Sequence, residues 1–216
     1  MGEAEVKRLA EAVVEGDAEK SEEIAKKAVE LRMDPLQVLD GGVIKPLREI
    51  GDKFGRGEVF LTDLVMSAEA AKAAMEVLVA EIKRRGREVG YLGRVVLGTV
   101  AGDIHDIGKN IVGALLSVEG FEVIDLGADV PTEKFVEKVR ELKPNILGLS
   151  ALLTVTMPVQ REVIEALKKA GLRDTVKVMV GGAPVTAEWA EEIGADAYGA
   201  DAIDAVKKAK KLIGSG

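Results

Sequence analysis

The residues of this chain best suited to chemistry lie in one short segment, residues 102–108, called here the histidine loop. It reads Gly-Asp-Ile-His-Asp-Ile-Gly and contains His105, the only histidine, with Asp103 two residues before it and Asp106 directly after it. A carboxylate at that spacing can accept a hydrogen bond from one ring nitrogen, which fixes the tautomer and makes the other nitrogen a better donor to a metal. The loop therefore predicts either a metal-ligating histidine or a structural histidine bonded within its own loop.

Composition narrows the metal chemistry. The chain has no cysteine and one histidine, which excludes disulfides, thiolate chemistry, iron–sulfur clusters and cysteine-based zinc sites. A metal held by His105 must bring its remaining ligands with it. A macrocycle that supplies four nitrogens and needs one axial imidazole meets that requirement.

A phosphate-binding loop is the rival interpretation of the same glycines. Such a loop needs Gly-x-x-x-x-Gly-Lys followed by Ser or Thr, whereas here five residues separate Gly102 from Gly108-Lys109, and Asn110 replaces the hydroxyl residue. Two aspartates within the loop would also repel phosphate, and no Gly-x-Gly-x-x-Gly pattern follows. An NTPase or dinucleotide site is not expected.

Short apolar runs that alternate with amphipathic stretches position the histidine loop. Runs apolar on both faces and separated by helical stretches indicate a parallel sheet covered on both sides, with its ligand crevice beyond the carboxyl ends of the strands. The predicted fold of this part is a five-stranded doubly wound α/β domain of Rossmann-like or flavodoxin-like type. The predicted strands are residues 95–100, 122–126, 146–150, 176–180 and 197–198.

The first 85 residues or so have a helical period instead, as in Val6, Leu9 and Val13. Asp17 and Thr62 are expected to cap helices, and Pro35 to begin a third helix that continues to about residue 54. A last helix is expected to end near residue 84. The domain prediction is a four-helix bundle over residues 1–88, followed by the α/β domain over 89–216.

The charge pattern excludes some partners. A formal charge of -7 with interspersed signs lacks the basic field that nucleic acids select, and the basic stretch at 83–87 is interpreted as a solvated linker. No apolar run approaches the roughly 20 residues of a membrane span, and the start does not resemble a secretory signal. Neither nucleic acid nor membrane is expected, and the predicted location is the cytoplasm.

Three motifs follow one another along the α/β part: Asp103-x-His105-x-x-Gly108, then Ser150-x-Leu152, then Gly181-Gly182. They resemble those of the cobalamin-dependent methyltransferase corrinoid proteins, the methanol and methylamine types, which are similar to the cobalamin-binding module of methionine synthase. Residues 54–61, Phe-Gly-Arg-Gly-Glu-Val-Phe-Leu, are similar to the helical cap of the same proteins. The resemblance covers nearly the whole chain.

The resemblance implies a role for each matching residue. His105 would be the lower axial ligand of the cobalt, Asp103 its hydrogen-bond partner and Thr156 the third member of that relay. Phe54 and Leu61 would shield the cobalt methyl group. The implied cofactor-binding residues are Gly102, Asp103, Ile104, His105, Asp106, Gly108, Ser150, Leu152, Thr154, Gly181, Gly182, Ala200, Phe54, Leu61 and Asp40, the last of which stands where methionine synthase has a glutamate.

Structural alternatives remain open for these residues. Phe54 and Leu61 would be core or helix-end residues in any bundle. Ser150 and Thr156 are equally compatible with satisfying backbone groups at strand ends, and Gly181-Gly182 with an ordinary turn.

The implied function is methyl carriage. The cofactor would be cobalamin, as methylcobalamin or a related corrinoid, bound base-off with a histidine on the cobalt. The partners would be a substrate-specific methyltransferase, a second methyltransferase with a thiol or tetrahydrofolate acceptor, and a reductive activator, without which the protein would not turn over. The alternatives are a module of methionine synthase, which the start at Met1 and the lysine-rich end disfavour, and a cobalamin-based sensor. An adenosylcobalamin mutase subunit would not need the cap.

Overall fold

The computed structural model describes residues 2–87 and 89–214, and the chain divides into two units, Met1–Gly90 and Tyr91–Gly216. The N-terminal unit is helical, as predicted. Its helices are α1 (Gly2–Glu15), α2 (Ala18–Glu30), α3 (Pro35–Leu39), a π-helical turn (Asp40–Ile44), α4 (Lys45–Gly55) and α5 (Leu61–Arg84).

Two of the predicted helix starts are confirmed and one is wrong. The Asp17 carboxylate caps α2 by accepting the Lys20 N–H at 2.9 Å, and Pro35 occupies the first turn of α3. Thr62 does not cap α5, which begins one residue earlier. The Asp63 carboxylate instead accepts the N–H of Phe60 at 2.8 Å and so fixes the residue that precedes the helix.

The third predicted helix is confirmed over residues 35–55, with a π-helical turn between α3 and α4 that changes the hydrogen-bond pattern but does not end the helix. Pro46 has no N–H, and its ring crowds the carbonyl oxygen four residues earlier, at Gly42. The chain widens just before the proline, where the Lys45 N–H bonds to the carbonyl oxygen of Asp40, five residues back. The wider turn thus accommodates the proline, and the helix continues into α4.

Three arginines of the basic stretch at 83–87, which spans the end of α5, pair with carboxylates of their own unit. Arg84 and Arg85 both donate to the buried Glu81 carboxylate, with Nε–O distances of 2.6 and 2.7 Å. Arg87 donates to Asp34 Oδ1 at 2.8 Å, and the same oxygen accepts the Leu36 N–H at the start of α3. These contacts give the stretch a structural role at the end of the helical unit.

The C-terminal unit is a five-stranded parallel sheet in the order β2-β1-β3-β4-β5, which confirms the doubly wound prediction. Six of the ten strand ends differ from the predicted ends, each by one residue. The elements are β1 (Arg94–Thr99), α6 (Ile107–Val118), β2 (Glu122–Asp125), α7 (Thr132–Leu142), β3 (Ile146–Ser150), α8 (Met157–Lys169), a 3₁₀ turn (Arg173–Thr175), β4 (Lys177–Gly181), α9 (Ala187–Ile193), β5 (Ala197–Gly199) and α10 (Ala202–Leu212).

The two faces of this sheet are covered differently. Alternate strand residues such as Leu147, Leu149 and Val180 are buried in a core with residues of α7, α8 and α9. Because side chains alternate across a strand, Gly148 and Met179 face the opposite side, where α6 and α10 pack against one another. Along residues 2–87 and 89–214, no helix combines the length and apolarity needed to cross a membrane.

Candidate cofactor site

The histidine loop leaves the carboxyl end of β1 and leads into α6. The Asp103 side chain is fully buried, and its Oδ1 lies 2.8 Å from His105 Nδ1 and accepts the His105 backbone N–H at 3.1 Å. The imidazole itself is 46% exposed. With Nδ1 engaged, Nε2 is the ring nitrogen available to a ligand.

The second oxygen of Asp103 joins the histidine loop to the turn after β3. Asp103 Oδ2 accepts the N–H groups of Leu152 at 2.7 Å and Leu153 at 3.2 Å, and the Thr156 hydroxyl at 2.7 Å. Burial by itself raises the pKa of the Asp103 carboxyl, but the hydrogen bonds donated by Thr156 and His105 outweigh it and hold that pKa well below its usual range. Asp103 is therefore an ionised acceptor, and the proton of the His105–Asp103 bond belongs to Nδ1.

Further bonds fix the loop on its other side. Gly102 has a φ of +79° and donates its N–H to Asp129 Oδ1 at 2.7 Å, while the Asp129 N–H donates to the Asp103 carbonyl oxygen at 2.9 Å. The Thr99 hydroxyl donates to the carbonyl oxygen of His105 at 3.0 Å. His105 is thus held in place by the protein alone.

A cavity of about 540 Å³ opens beside His105, between the sheet and helices α6 and α10. We call it the apolar slot. Leu97, Gly148 and Met179 line it from the sheet, Val112 from α6 and Ala205 from α10. Its walls are of the size and apolar character that suit a flat organic group.

Large apolar side chains are exposed on the two loops that Asp103 joins. Ile104 is 77% exposed, Ile107 76% and Val155 79%, and Leu152 and Leu153 are exposed as well. Exposed apolar groups in such number mark a surface that a ligand or partner covers. They flank the one imidazole of the chain.

The structure brings together most of the residues expected at the site. Gly102, Asp103 and Thr156 form the hydrogen-bonded support described above, whereas Thr154 is exposed on its turn and is not among the residues that line the slot. The expected residues that do line it are Ile104, His105, Asp106, Gly108, Ser150, Leu152, Gly181, Gly182 and Ala200.

The other three expected residues belong to the helical unit. Phe54 is half-buried in the last turn of α4, and Leu61 is the half-buried first residue of α5. Asp40 is exposed in the π turn, where its carboxylate pairs with Lys45 Nζ at 2.7 Å.

The sequence did not point to the inner walls of the slot or to a buried ion pair beside it. Gly148 was the available signal, because a glycine inside a buried strand marks a close approach; a Cβ there would lie 2.3 Å from Leu97 Cδ2. Lys109, in α6, is buried and donates to Asn110 Oδ1 at 2.7 Å and to the carboxylate of Asp125 at the end of β2. In the sequence, Lys109 stands out only as a possible member of a phosphate-binding loop.

Comparison with known proteins identifies the family. Residues 93–207 match the B12 binding domain, and residues 5–79 match a second family with the same description. The trimethylamine corrinoid protein of Methanosarcina barkeri is 47% identical over 208 residues, which are 96% of each chain. The chain belongs to the corrinoid protein family.

Other relatives of this corrinoid protein agree. Dimethylamine corrinoid protein 1 of Methanosarcina mazei is 49% identical over 181 residues, 84% of this chain and 83% of its own. Among solved structures, the methanol:cobalamin methyltransferase complex of Methanosarcina barkeri contains a chain of which 81% matches 99% of this one, with a TM-score of 0.84 and 32% identity. The predicted fold and the predicted cofactor, cobalamin or a related corrinoid, are confirmed.

The residues of this corrinoid protein fit such a cofactor. One imidazole presents a free nitrogen, exposed apolar side chains flank it, and a slot opens alongside. Within residues 2–87 and 89–214, no three His, Cys, Asp or Glu side chains are grouped so that they could hold a metal ion by themselves.

Proposed function

We propose that this corrinoid protein is a methyl carrier that holds cobalamin with the cofactor's own base displaced and with His105 as lower axial ligand of the cobalt. The observation that carries the proposal is the His105 ring, half-exposed beside the slot and fixed by a 2.8 Å bond from Nδ1 to Asp103 Oδ1. When bound, the corrinoid supplies a cobalt that accepts a methyl group from one protein and passes it to another.

The relay of His105, Asp103 and Thr156 tunes the imidazole. The Asp103 carboxylate accepts a hydrogen bond from the Nδ1–H group and so increases the electron density at Nε2. The Thr156 hydroxyl lies 2.7 Å from Asp103 Oδ2 and 2.9 Å from the Leu153 carbonyl oxygen, but its single proton goes to the charged acceptor.

The apolar slot is proposed to take the displaced base. Gly181 and Gly182 border it at the end of β4, together with Leu152 and Ala200. Gly182 has a φ of +126°, and a Cβ there would lie 1.8 Å from the Ala151 carbonyl oxygen, so this turn needs glycine in any case. Ser150 and Thr154 are proposed as polar contacts of the base.

The helical unit is proposed to protect the methyl group. Phe54 and Leu61 would supply the apolar cover, and Asp40 a polar contact with the corrin. The domains are proposed to be residues 1–88 and 89–216, working in the cytoplasm.

The proposed partners are a substrate-specific methyltransferase, a second methyltransferase with a thiol or tetrahydrofolate acceptor, and a reductive activator. Relatives named for trimethylamine and dimethylamine, and the matched methanol:cobalamin methyltransferase complex, support such partners. Relatives with different donors in their names have similar identities to this chain, so we propose that the partner enzyme selects the methyl donor.

The single histidine allows a direct test of coordination. Protein labelled with nitrogen-15 histidine is loaded with cobalamin, reduced to cobalt(II) and examined by electron paramagnetic resonance. If His105 coordinates, the triplet splitting from nitrogen-14 becomes a doublet, and His105→Gly abolishes it. A triplet that persists in labelled protein would show the cofactor's own base on the cobalt and contradict the proposal.

Methyl carriage is tested on the cofactor extracted from the protein in its native cells. Mass spectrometry should detect a methyl upper ligand. An adenosyl group would contradict carriage and favour a mutase subunit.

A further inference from the structure

Gln160, in the first half of α8, makes an unusual set of buried bonds. Its side chain is fully buried. Its Nε2 donates to the carbonyl oxygens of Leu149 at 3.0 Å and Gly181 at 3.2 Å, and its Oε1 accepts the Trp189 indole N–H at 3.0 Å. One side chain therefore ties together β3, β4 and α9.

The two carbonyl groups lie at the edge of the sheet that borders the apolar slot. Leu149 is the penultimate residue of β3 and Gly181 is the last residue of β4, and the register pairs Ser150 with Gly181. Gln160 itself is not a slot residue: α8 packs on the other face of the sheet, with Leu149 and Val163 in the shared core. The amide therefore reaches the slot only through the backbone of the two strands.

The two turns that leave these strands have unequal support. The turn after β3 is held by three bonds to Asp103 Oδ2, as described above. For Gly181, within the part of the chain that the structure describes, the carbonyl oxygen accepts the Ala151 N–H at 3.1 Å and the Gln160 amide. The amide is thus the side-chain tie of the turn after β4, residues 181–184, which lines the slot with Gly181, Gly182 and Ala183.

Trp189 and Arg161 set the orientation of the Gln160 amide. The Arg161 guanidinium lies 4.7 Å from the centroid of the Trp189 ring and pairs with Glu192, which fixes the indole over α8. The indole N–H then selects the oxygen of the Gln160 amide. A flipped amide would place that oxygen against two carbonyl oxygens, which is repulsive.

We propose that Gln160 is a positioning residue for the cofactor's displaced base: it fixes the turn after β4 and thereby the width of the apolar slot, without touching the cofactor. This inference rests on the proposed function, since it requires the base to occupy the slot. It predicts that changes at Gln160 alter recognition of the base and leave recognition of the corrin ring intact.

Cobinamide, a corrinoid that lacks the nucleotide and its base, separates the two effects. Apo-protein is titrated with cobalamin and with cobinamide and followed by absorbance. Gln160→Met keeps the side-chain length and removes the amide. We expect about tenfold weaker binding of cobalamin, the loss typical of one or two buried hydrogen bonds, with cobinamide affinity unchanged.

Val163→Ala is the matched control, because Val163 is fully buried about one turn further along α8 and its side chain has no group that could donate a hydrogen bond to either carbonyl oxygen. It lowers the melting temperature without changing the ratio of the two affinities. Trp189→Phe removes the indole N–H and leaves Gln160 in place, so it should shift the ratio in the same direction by a smaller factor. If Gln160→Met does not fold, the affinity ratio of Trp189→Phe tests the proposal in its place.

Two results would overturn the proposal. The first is a Gln160→Met protein whose affinities for cobalamin and cobinamide fall by the same factor, or do not change at all; either would show that the amide has no special role in base recognition. The same outcomes for Trp189→Phe would have the same meaning. The second is a wild-type protein that binds cobalamin no more tightly than cobinamide, which would show that the slot does not bind the base. That outcome contradicts the proposed function and is distinguishable from the first because it needs no variant.

Discussion

Gly108→Ala should raise the stability of the cofactor-free protein and weaken cofactor binding at the same time. Gly108 is the second residue of α6 and lines the apolar slot. A Cβ built on it meets no atom within 4 Å, and its φ is not in the left-handed region. The fold therefore does not need a glycine at this position, in contrast to Gly182.

The magnitudes follow from these two facts. Replacing a helical glycine by alanine where the backbone is compatible stabilises by about 0.4–1 kcal/mol. For a domain of roughly 130 residues this corresponds to an increase of about 1.5–4 °C in Tm. A methyl group in the path of a tightly fitted ligand costs about 1–3 kcal/mol, which weakens binding about fivefold to 150-fold.

The assay is thermal unfolding of the apo-protein together with titration by cobalamin. Ser117→Ala in the same helix is the control: its hydroxyl donates to the Gly113 carbonyl oxygen at 2.9 Å, away from the slot residues, so cobalamin affinity should not change. A lower Tm for Gly108→Ala would refute the claim that the position is open. Unchanged affinity would refute the claim that the ligand passes Gly108.

Two further predictions concern buried charges. The hydrogen bonds from Arg84 and then Arg85 lower the pKa of Glu81 from 4.5 to about 2. The resulting stabilisation is present above the unfolded-state pKa and is lost as the pH falls from about 4.5 towards 2. The free energy of unfolding of wild type minus that of Glu81→Gln should therefore be largest near neutral pH and shrink over that window; a pH-independent difference would contradict it. Separately, Asp125→Ala should destabilise by about 1–3 kcal/mol in urea unfolding, because it leaves the buried Lys109 ammonium with a single neutral acceptor. Lys109→Met should cost less, and the reverse order would contradict the account.

Local patterns were enough for much of the fold. The period of the apolar residues changes near residue 85, and this alone separated a helical unit from a parallel sheet. The Asp17 cap could be predicted because its bond to Lys20 spans three residues. The prediction that Thr62 caps α5 was wrong for a local reason too, since Asp63 competes for the helix start. The third helix was predicted correctly in extent, but the wider turn before Pro46 was not predicted.

In the candidate site too, contacts between residues close in the chain were predictable and contacts between distant elements were not. Asp103 and His105 are two residues apart, so their bond was predictable from the loop itself. The resemblance added Thr156, whose place beside Asp103 depends on two separate strands ending at one edge of the sheet. No spacing rule predicts the bond of Gln160 to Trp189, because it requires α8 and α9 to be packed on the same face.

By itself, the sequence determined that the one histidine is oriented by a carboxylate two residues away, because those residues are neighbours in the chain. The tertiary structure alone decided the shape of the slot beside it. That shape depends on Leu97 leaning over Gly148, on Met179 from the next strand and on the amide of Gln160 behind them. These residues meet only when the strand order β2-β1-β3-β4-β5 is formed, since packing joins residues that are far apart in the chain.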